Sequence, residues 1–295
     1  MIDRDCFKED LKPLNLFKLI KYKINFNKNN PDFFRPCGLH LFVGKQGGGK
    51  TLTAVKTAEK ILEKYPKCKL ITNLYLTNYP IITFSDFIKN NKDRYLELKK
   101  NLGDKADQVF YNIYLTENRV FEFVNDDDFK RYKNGDQGVL FLIDEIQLYW
   151  NSLQSKNINM DVINVVSQQR KNRMVLIATS QKFGRLAKAL REQFEEVILC
   201  KNLLGFIQYN QHIDQKTMEG DDTTGLNLKG KVKEKHFFIH SPEDYKKYDT
   251  YYIIEKGKFI SGEEQKKEIY SDDEIIIKEK EGGSKNEHRK SKSNN

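Results

Sequence analysis

Residues 44–51 read Gly-Lys-Gln-Gly-Gly-Gly-Lys-Thr, which matches the pattern G-x-x-x-x-G-K-[ST] of a loop that wraps phosphates. Few strings restrict a fold as tightly. The loop needs a strand leading in and a helix leading out, because its backbone N–H groups and the helix N-terminus must converge on one anion. Both flanks comply. Residues 38–43, Gly-Leu-His-Leu-Phe-Val, form a strand-like run, and residues 53–64, rich in Ala, Leu, Lys and Glu, fit a helix. The nucleotide-binding set is then Gly44, Lys45, Gln46, Gly47, Gly48, Gly49, Lys50, Thr51 and Leu52. Lys50 reaches the β- and γ-phosphates, and the Thr51 hydroxyl is a Mg2+ ligand. The expected cofactors are ATP and Mg2+.

A second run, Val-Leu-Phe-Leu-Ile-Asp-Glu at residues 139–145, is continuously apolar and ends in two acids. Unbroken apolarity fits a strand covered on both faces, as in a parallel sheet, and acids at the C-terminal end of such a strand lie where α/β sheets bind ligands. Asp144 is the second residue expected to hold Mg2+, through water. Glu145 is the expected group that polarises the water attacking the γ-phosphate.

The 295 residues carry 51 Lys and Arg against 42 Asp and Glu, a net charge of +9. A basic chain of this kind suits a polyanion, either nucleic acid or an anionic membrane. Its richness in Lys, Asn, Ile and Tyr also fits an AT-rich genome, so charge supports a partner without naming one. The cysteines at 6, 37, 68 and 200 have no C-x-x-C spacing, which indicates neither a zinc ribbon nor a disulfide scaffold. His236 and His240 lack a third ligand nearby. The opening residues are no signal peptide, and no apolar stretch reaches the length of a membrane helix. The expectation is a cytoplasmic protein without a direct membrane span.

Three parts are expected: a basic, amphipathic segment at 1–36, a nucleotide-binding domain with late strands at 37–261, and a disordered charged tail at 262–295. Residues 14–24 fit a short amphipathic helix. Packing on the sheet edge is its commoner fate, and a membrane or partner surface the alternative. Further strands are expected at 68–77, 109–115, 174–179, 196–200, 237–239 and 251–254. Helices are expected from Ser85-Asp86 to about residue 102, over 160–171 and over 182–194. Residues 201–230 read as loops with an acidic turn at 219–222.

Residues 167–181, Ser-Gln-Gln-Arg-Lys-Asn-Arg-Met-Val-Leu-Ile-Ala-Thr-Ser-Gln, follow the two acids. An amide at Gln181, ending the next strand, can sense the γ-phosphate. An arginine at 170 can project toward a neighbouring subunit's nucleotide. With these residues the sequence resembles the FtsK–HerA superfamily of DNA-pumping ATPases. Within it, residues 37–255 look like the ATPase domain of zonula occludens toxin-like (Zot-like) bacteriophage proteins, to whose closing stretch Tyr248-Asp249-Thr250 is also similar. The resemblance implies an α/β P-loop NTPase fold of the additional-strand type, a mainly parallel sheet with helices on both faces. It implies a homo-oligomeric ring and Mg-ATP hydrolysis driving work on DNA or a virion, with Glu145, Arg170 and Gln181 as catalytic residues. Arg173 is a rival finger. Two departures stand out. The strand ends Thr-Ser-Gln rather than Thr-Gln, and no membrane helix follows the ATPase domain, unlike the assembly proteins of filamentous phages. A packaging motor that threads double-stranded DNA and docks on a procapsid or portal suits that better. A phage assembly or export ATPase acting on virion proteins at the membrane is the alternative. A small-molecule kinase and a degenerate scaffold rank below both, given Lys50, Thr51, Asp144 and Glu145. The segment 149–159 is the expected DNA grip, braced by Tyr149 and Trp150 with Lys156 on a phosphate; Lys182, Arg185 and Lys188 are next in line.

Overall fold

Strands that lack polar alternation end up where both faces are covered, and the centre of this molecule follows that rule. The computed structural model describes residues 13–153, 160–218 and 230–249. Met1–Tyr248 forms one unit; Asp249–Asn295 forms a second, of which Asp249 alone is described. In chain order the elements are helix α1 (Pro13–Asn29), strand β1 (Gly38–Val43), helix α2 (Lys50–Lys64), and strands β2 (Lys69–Thr72) and β3 (Tyr75–Leu76). Helices α3 (Phe84–Asn90), α4 (Lys92–Leu102) and α5 (Ala106–Glu117) follow, then β4 (Val120–Glu122), α6 (Asp128–Arg131), β5 (Val139–Ile143), α7 (Met160–Ser167), β6 (Met174–Ser180) and α8 (Lys188–Arg191). Strands β7 (Glu196–Leu203), β8 (Ile207–Asp214) and β9 (Val232–Ile239) complete the sheet.

The sheet order is β4-β2-β5-β6-β1-β7-β8-β9. The first six strands run parallel and the last two antiparallel. Every residue of β5 and β6 is buried, so helices cover both faces at the centre, as expected of a P-loop NTPase. β9 is almost wholly exposed.

Helix α2 buries Leu52, Ala54, Val55, Ala58 and Leu62 against the sheet. Each Leu or Val contributes roughly 1.5–3 kcal/mol by leaving water. Its last turn is held by Arg119, whose Nη2 donates to the Leu62 and Tyr65 carbonyls at 2.7 and 3.2 Å and whose Nε donates to the Cys68 carbonyl at 2.9 Å. A cation there satisfies carbonyls that a helix end leaves open.

Several local expectations give way. Residues 109–115 are helical, within α5, because Ala106, Phe110 and Tyr114 recur every four residues and bury one face. Phe110 packs on Phe87 and Tyr114 on Phe121, with centroids 5.2 and 5.4 Å apart. The helix expected to run to 102 breaks at Asn91, whose side chain donates to the Phe87 carbonyl at 2.9 Å and competes with the helical ladder. Its cap is Thr83, which accepts from the Asp86 N–H at 3.1 Å. Strand 68–77 divides into β2 and β3, and the helix at 160–171 stops at Ser167. Residues 182–194 hold only a 3-10 turn, Phe183–Arg185, and the single turn α8. Residues 201–214 are not loop but the hairpin of β7 and β8, turning at Leu204 and Gly205 with φ of 55° and 83°. α1 exists but does not bury itself on the sheet edge: Leu16, Phe17, Ile20 and Ile24 are exposed. The expected strand at 251–254, the acidic turn at 219–222, the tail at 262–295 and Lys156 lie outside the described residues.

Candidate active site

β1, β5 and β6 run in one direction as neighbours, so the loop after β1 and the acids after β5 emerge on one edge of the sheet. The register sets Val43 beside Ser180 and Ile143 beside Ala178. Residues nearly a hundred positions apart thereby meet. Thr51 Oγ1 donates to Asp144 Oδ1 at 2.9 Å, and Thr179 Oγ1 donates to the same oxygen at 2.6 Å. Burial pushes the Asp144 carboxyl above the usual carboxylate range; the Thr179 and Thr51 hydroxyls and the Lys50 ammonium oppose this, while Glu145 adds to it. A hydroxyl and a buried carboxylate side by side form the hard oxygen set that suits Mg2+. Thr51 and Asp144 are the residues that would hold it.

Glu145 sits beyond the strand end in a left-handed conformation, φ 50° and ψ 49°, which costs a non-glycine residue about 1–2 kcal/mol. A bond from its own N–H to Thr179 Oγ1, 2.9 Å, helps hold it there. Its carboxylate accepts from Gln147 Nε2 and from Gln181 Nε2, the latter at 3.4 Å, and lies 4.0 Å from Lys50 Nζ. Lys50 is buried and donates to the Lys45 carbonyl at 3.2 Å. Lys50, Thr51, Asp144, Glu145 and Gln181 therefore converge.

The loop itself is braced from behind. Gly49 has φ 77°, and a Cβ there would lie 1.9 Å from Gln208 Oε1; one on Gly44 would lie 2.5 Å from the Cys200 carbonyl oxygen. Only glycine fits, and the loop is free to wrap a polyphosphate closely. Gln208, fully buried on β8, donates from Nε2 to the Gly48 carbonyl at 3.0 Å and to Asn210 Oδ1 at 2.9 Å. Its Oε1 lies 3.1 Å from His240 Nε2, and since that oxygen can only accept, His240 carries its proton on Nε2. His240 Nδ1 meets the Tyr245 hydroxyl at 2.6 Å. A cavity of about 440 Å3 opens between residues 43–48 of the loop and residues 199–203 of β7, room for a nucleoside beside the phosphates.

Asn73, at the end of β2, was not foreseen. It donates to the Asp144 carbonyl at 2.9 Å and accepts from the Asp144 N–H at 2.8 Å, so it aims the acidic pair. The signal was there: an amide ending an apolar strand beside β5, on the edge where parallel sheets place ligands. Gln208 could have been found only by reading 207–214 as a strand whose inward positions are polar.

Arg170 and Arg173 lie at the other edge. They precede β6, whose seven residues span about 23 Å, so neither serves the site of its own chain. Arg170 is 78% exposed and 3.8 Å from Glu195. Arg173 is engaged, 2.8 Å from Asp136 and with its guanidinium 3.8 Å from the Phe33 ring centroid. Trp150, part of the expected DNA grip, is fully buried, stacks on Phe129 and donates to Asp126 at 2.8 Å. The thiols of Cys68 and Cys200 are both pushed up to about 12 by burial, which leaves them inert. Among the described residues no helix is long and apolar enough to cross a membrane.

The family model described as zonular occludens toxin (Zot) matches residues 38–241. Among solved structures, the N-terminal domain of zonular occludens toxin from Neisseria meningitidis is similar over 73% of this chain and 100% of its own, at 16% identity and a TM-score of 0.46. The genome packaging NTPase B204 of Sulfolobus turreted icosahedral virus 2, in complex with AMPPCP, is similar over 70% and 98%, at 13% identity and a TM-score of 0.43. B204 described as the DNA-packaging ATPase of Sulfolobus turreted icosahedral virus is similar over 72% and 98%, at 14% identity and a TM-score of 0.40. No curated protein matches the sequence.

Proposed function

Because this chain belongs to the zonular occludens toxin (Zot) family, we propose that it is an ATP-hydrolysing ring motor that translocates double-stranded DNA, as a phage genome packaging ATPase. The observation that supports the hydrolytic part of this reading is the convergence of Thr51, Asp144 and Thr179 beside Glu145 and Gln181; the net charge of +9 supports the polyanion partner. A site that only bound nucleotide would need the first group and not the second.

Lys50 leaves the Lys45 carbonyl for the β- and γ-phosphates and offsets their charge, with the loop N–H groups fixing the rest. Thr51 and Asp144 would hold Mg2+, which when bound would supply further charge neutralisation to the polyphosphate. Glu145 accepts the proton of the attacking water. Gln181, bonded to Glu145 and ending β6, registers the loss of the γ-phosphate and passes it to the segment that follows. Arg170 reaches the nucleotide of the neighbouring subunit, a role its exposure at the far edge of its own sheet supports. The ring docks on a procapsid or portal.

ATP turnover with and without duplex DNA tests the reading. Duplex DNA should raise the rate severalfold, and the effect should weaken with salt as phosphate contacts are screened. An assembly ATPase acting on virion proteins would use the same site without that response. Equal rates at every DNA concentration would rule out the translocase.

A further inference from the structure

We propose that α1 docks the protein onto an anionic lipid surface, lying in the headgroup region without crossing it. The helix spans 17 residues, Pro13–Asn29, and contains Lys18, Lys21, Lys23 and Lys28 but no acidic residue. At about 100° per residue, Leu16, Ile20, Ile24 and Phe17 form one stripe, while Leu19 and Tyr22, also exposed, fall outside it on the rest of the helix surface. Lys21 and Lys28 border it on one side, Lys23 on the other, and Lys18 lies opposite. The stripe is exposed: Leu16 58%, Phe17 68%, Ile20 45% and Ile24 60%. The C-terminal end of the helix is held to the segment that follows it: Phe26 meets Phe33 edge-on at 4.8 Å, and the Phe26 carbonyl accepts from the Asn30 N–H at 2.9 Å.

Charge and apolarity together choose the occupant. Nucleic acid would pair with the lysines and leave six large apolar side chains of α1 in water. A second copy of the helix would set four cations against four. A bilayer with anionic headgroups satisfies both: the stripe enters the acyl boundary while bordering lysines reach outward to phosphates on their flexible stems. Four lysines in a helix of this length forbid a spanning position. This inference does not depend on the nucleotide site.

Co-sedimentation of the full chain with vesicles tests it. Vesicles of equal parts phosphatidylglycerol and phosphatidylcholine should capture the protein, and pure phosphatidylcholine should capture far less. Lys18→Gln with Lys21→Gln should weaken capture about fivefold per lysine, as should raised salt. Phe17→Ser with Ile20→Ser should lower it at least tenfold while nucleotide binding and circular dichroism stay unchanged, since these side chains are exposed. No capture by anionic vesicles overturns the proposal. So does capture that ignores Phe17→Ser with Ile20→Ser, or a loss in these variants of DNA binding or of self-association in place of vesicle binding.

Discussion

At the scale of single residues, the site is governed by groups that shape the loop as much as by those that touch phosphate. Gly49 is held against Gln208 with no room for a Cβ, so Gly49→Ala should lower nucleotide affinity at least a hundredfold in a titration. Adding Gln208→Ala should return part of it, because the clash goes while the positive φ remains unfavourable. Recovery to full affinity, or none at all, would show that Gln208 does not brace the loop. Asn73→Ala removes both bonds to the Asp144 main chain. Turnover should fall roughly 10–100-fold, the scale of a displaced catalytic group, with the KM for ATP nearly unchanged. The Lys50, Thr51, Asp144 and Glu145 cluster was legible because its chemistry is written in contiguous strings. Asn73, Thr179 and Gln208 were not assigned roles, because their roles exist only through strand register.

At the scale of elements, the central strands could be read and the flanks could not. An apolar run such as 139–143 has one outcome in an α/β sheet. Phe110 and Tyr114 serve a strand or a helix equally well until the i, i+4 packing on Phe87 and Phe121 decides. The β7–β8 hairpin was hidden because Gln208 and Asn210 put amides at buried positions, reversing the usual alternation. One pH-dependent contact ties this hairpin to the loop strand. Burial pushes Glu196 up, but bonds from His212 at 3.2 Å and His40 at 3.4 Å outweigh it and bring the carboxyl from 4.5 down to about 2. A lowered folded value means that its stabilisation is present above pH 4.5 and is lost as pH falls from 4.5 toward 2. Glu196→Gln should therefore cost about 1–3 kcal/mol by urea denaturation at about pH 6 and nothing near pH 2. An equal cost at both would assign the effect to packing. Arg119→Ala should cost a similar amount, since three carbonyls lose a charged donor. Arg119→Lys should fail to restore it, because a single ammonium cannot match the planar fork.

At the scale of the whole molecule, the two edges of the parallel sheet differ in what they present. The C-terminal edge carries the loop and acids, the N-terminal edge an exposed Arg170. Assembly head to edge would bring one chain's arginine to the next chain's nucleotide. Mixing Arg170→Ala with Glu145→Gln subunits, each inactive alone, should restore measurable turnover, because some interfaces pair an intact finger with an intact site. No recovery in mixtures shown to co-assemble would remove Arg170 from that role. All of these roles require that the site hydrolyse ATP through Glu145. The direct measurement is Mg2+-dependent ATP turnover and ATP binding by wild type, Lys50→Ala and Glu145→Gln. Lys50→Ala should lose tight binding, while Glu145→Gln should bind ATP as wild type does and turn it over at least about a hundredfold more slowly. Turnover by Glu145→Gln at the wild-type rate would contradict hydrolysis through Glu145.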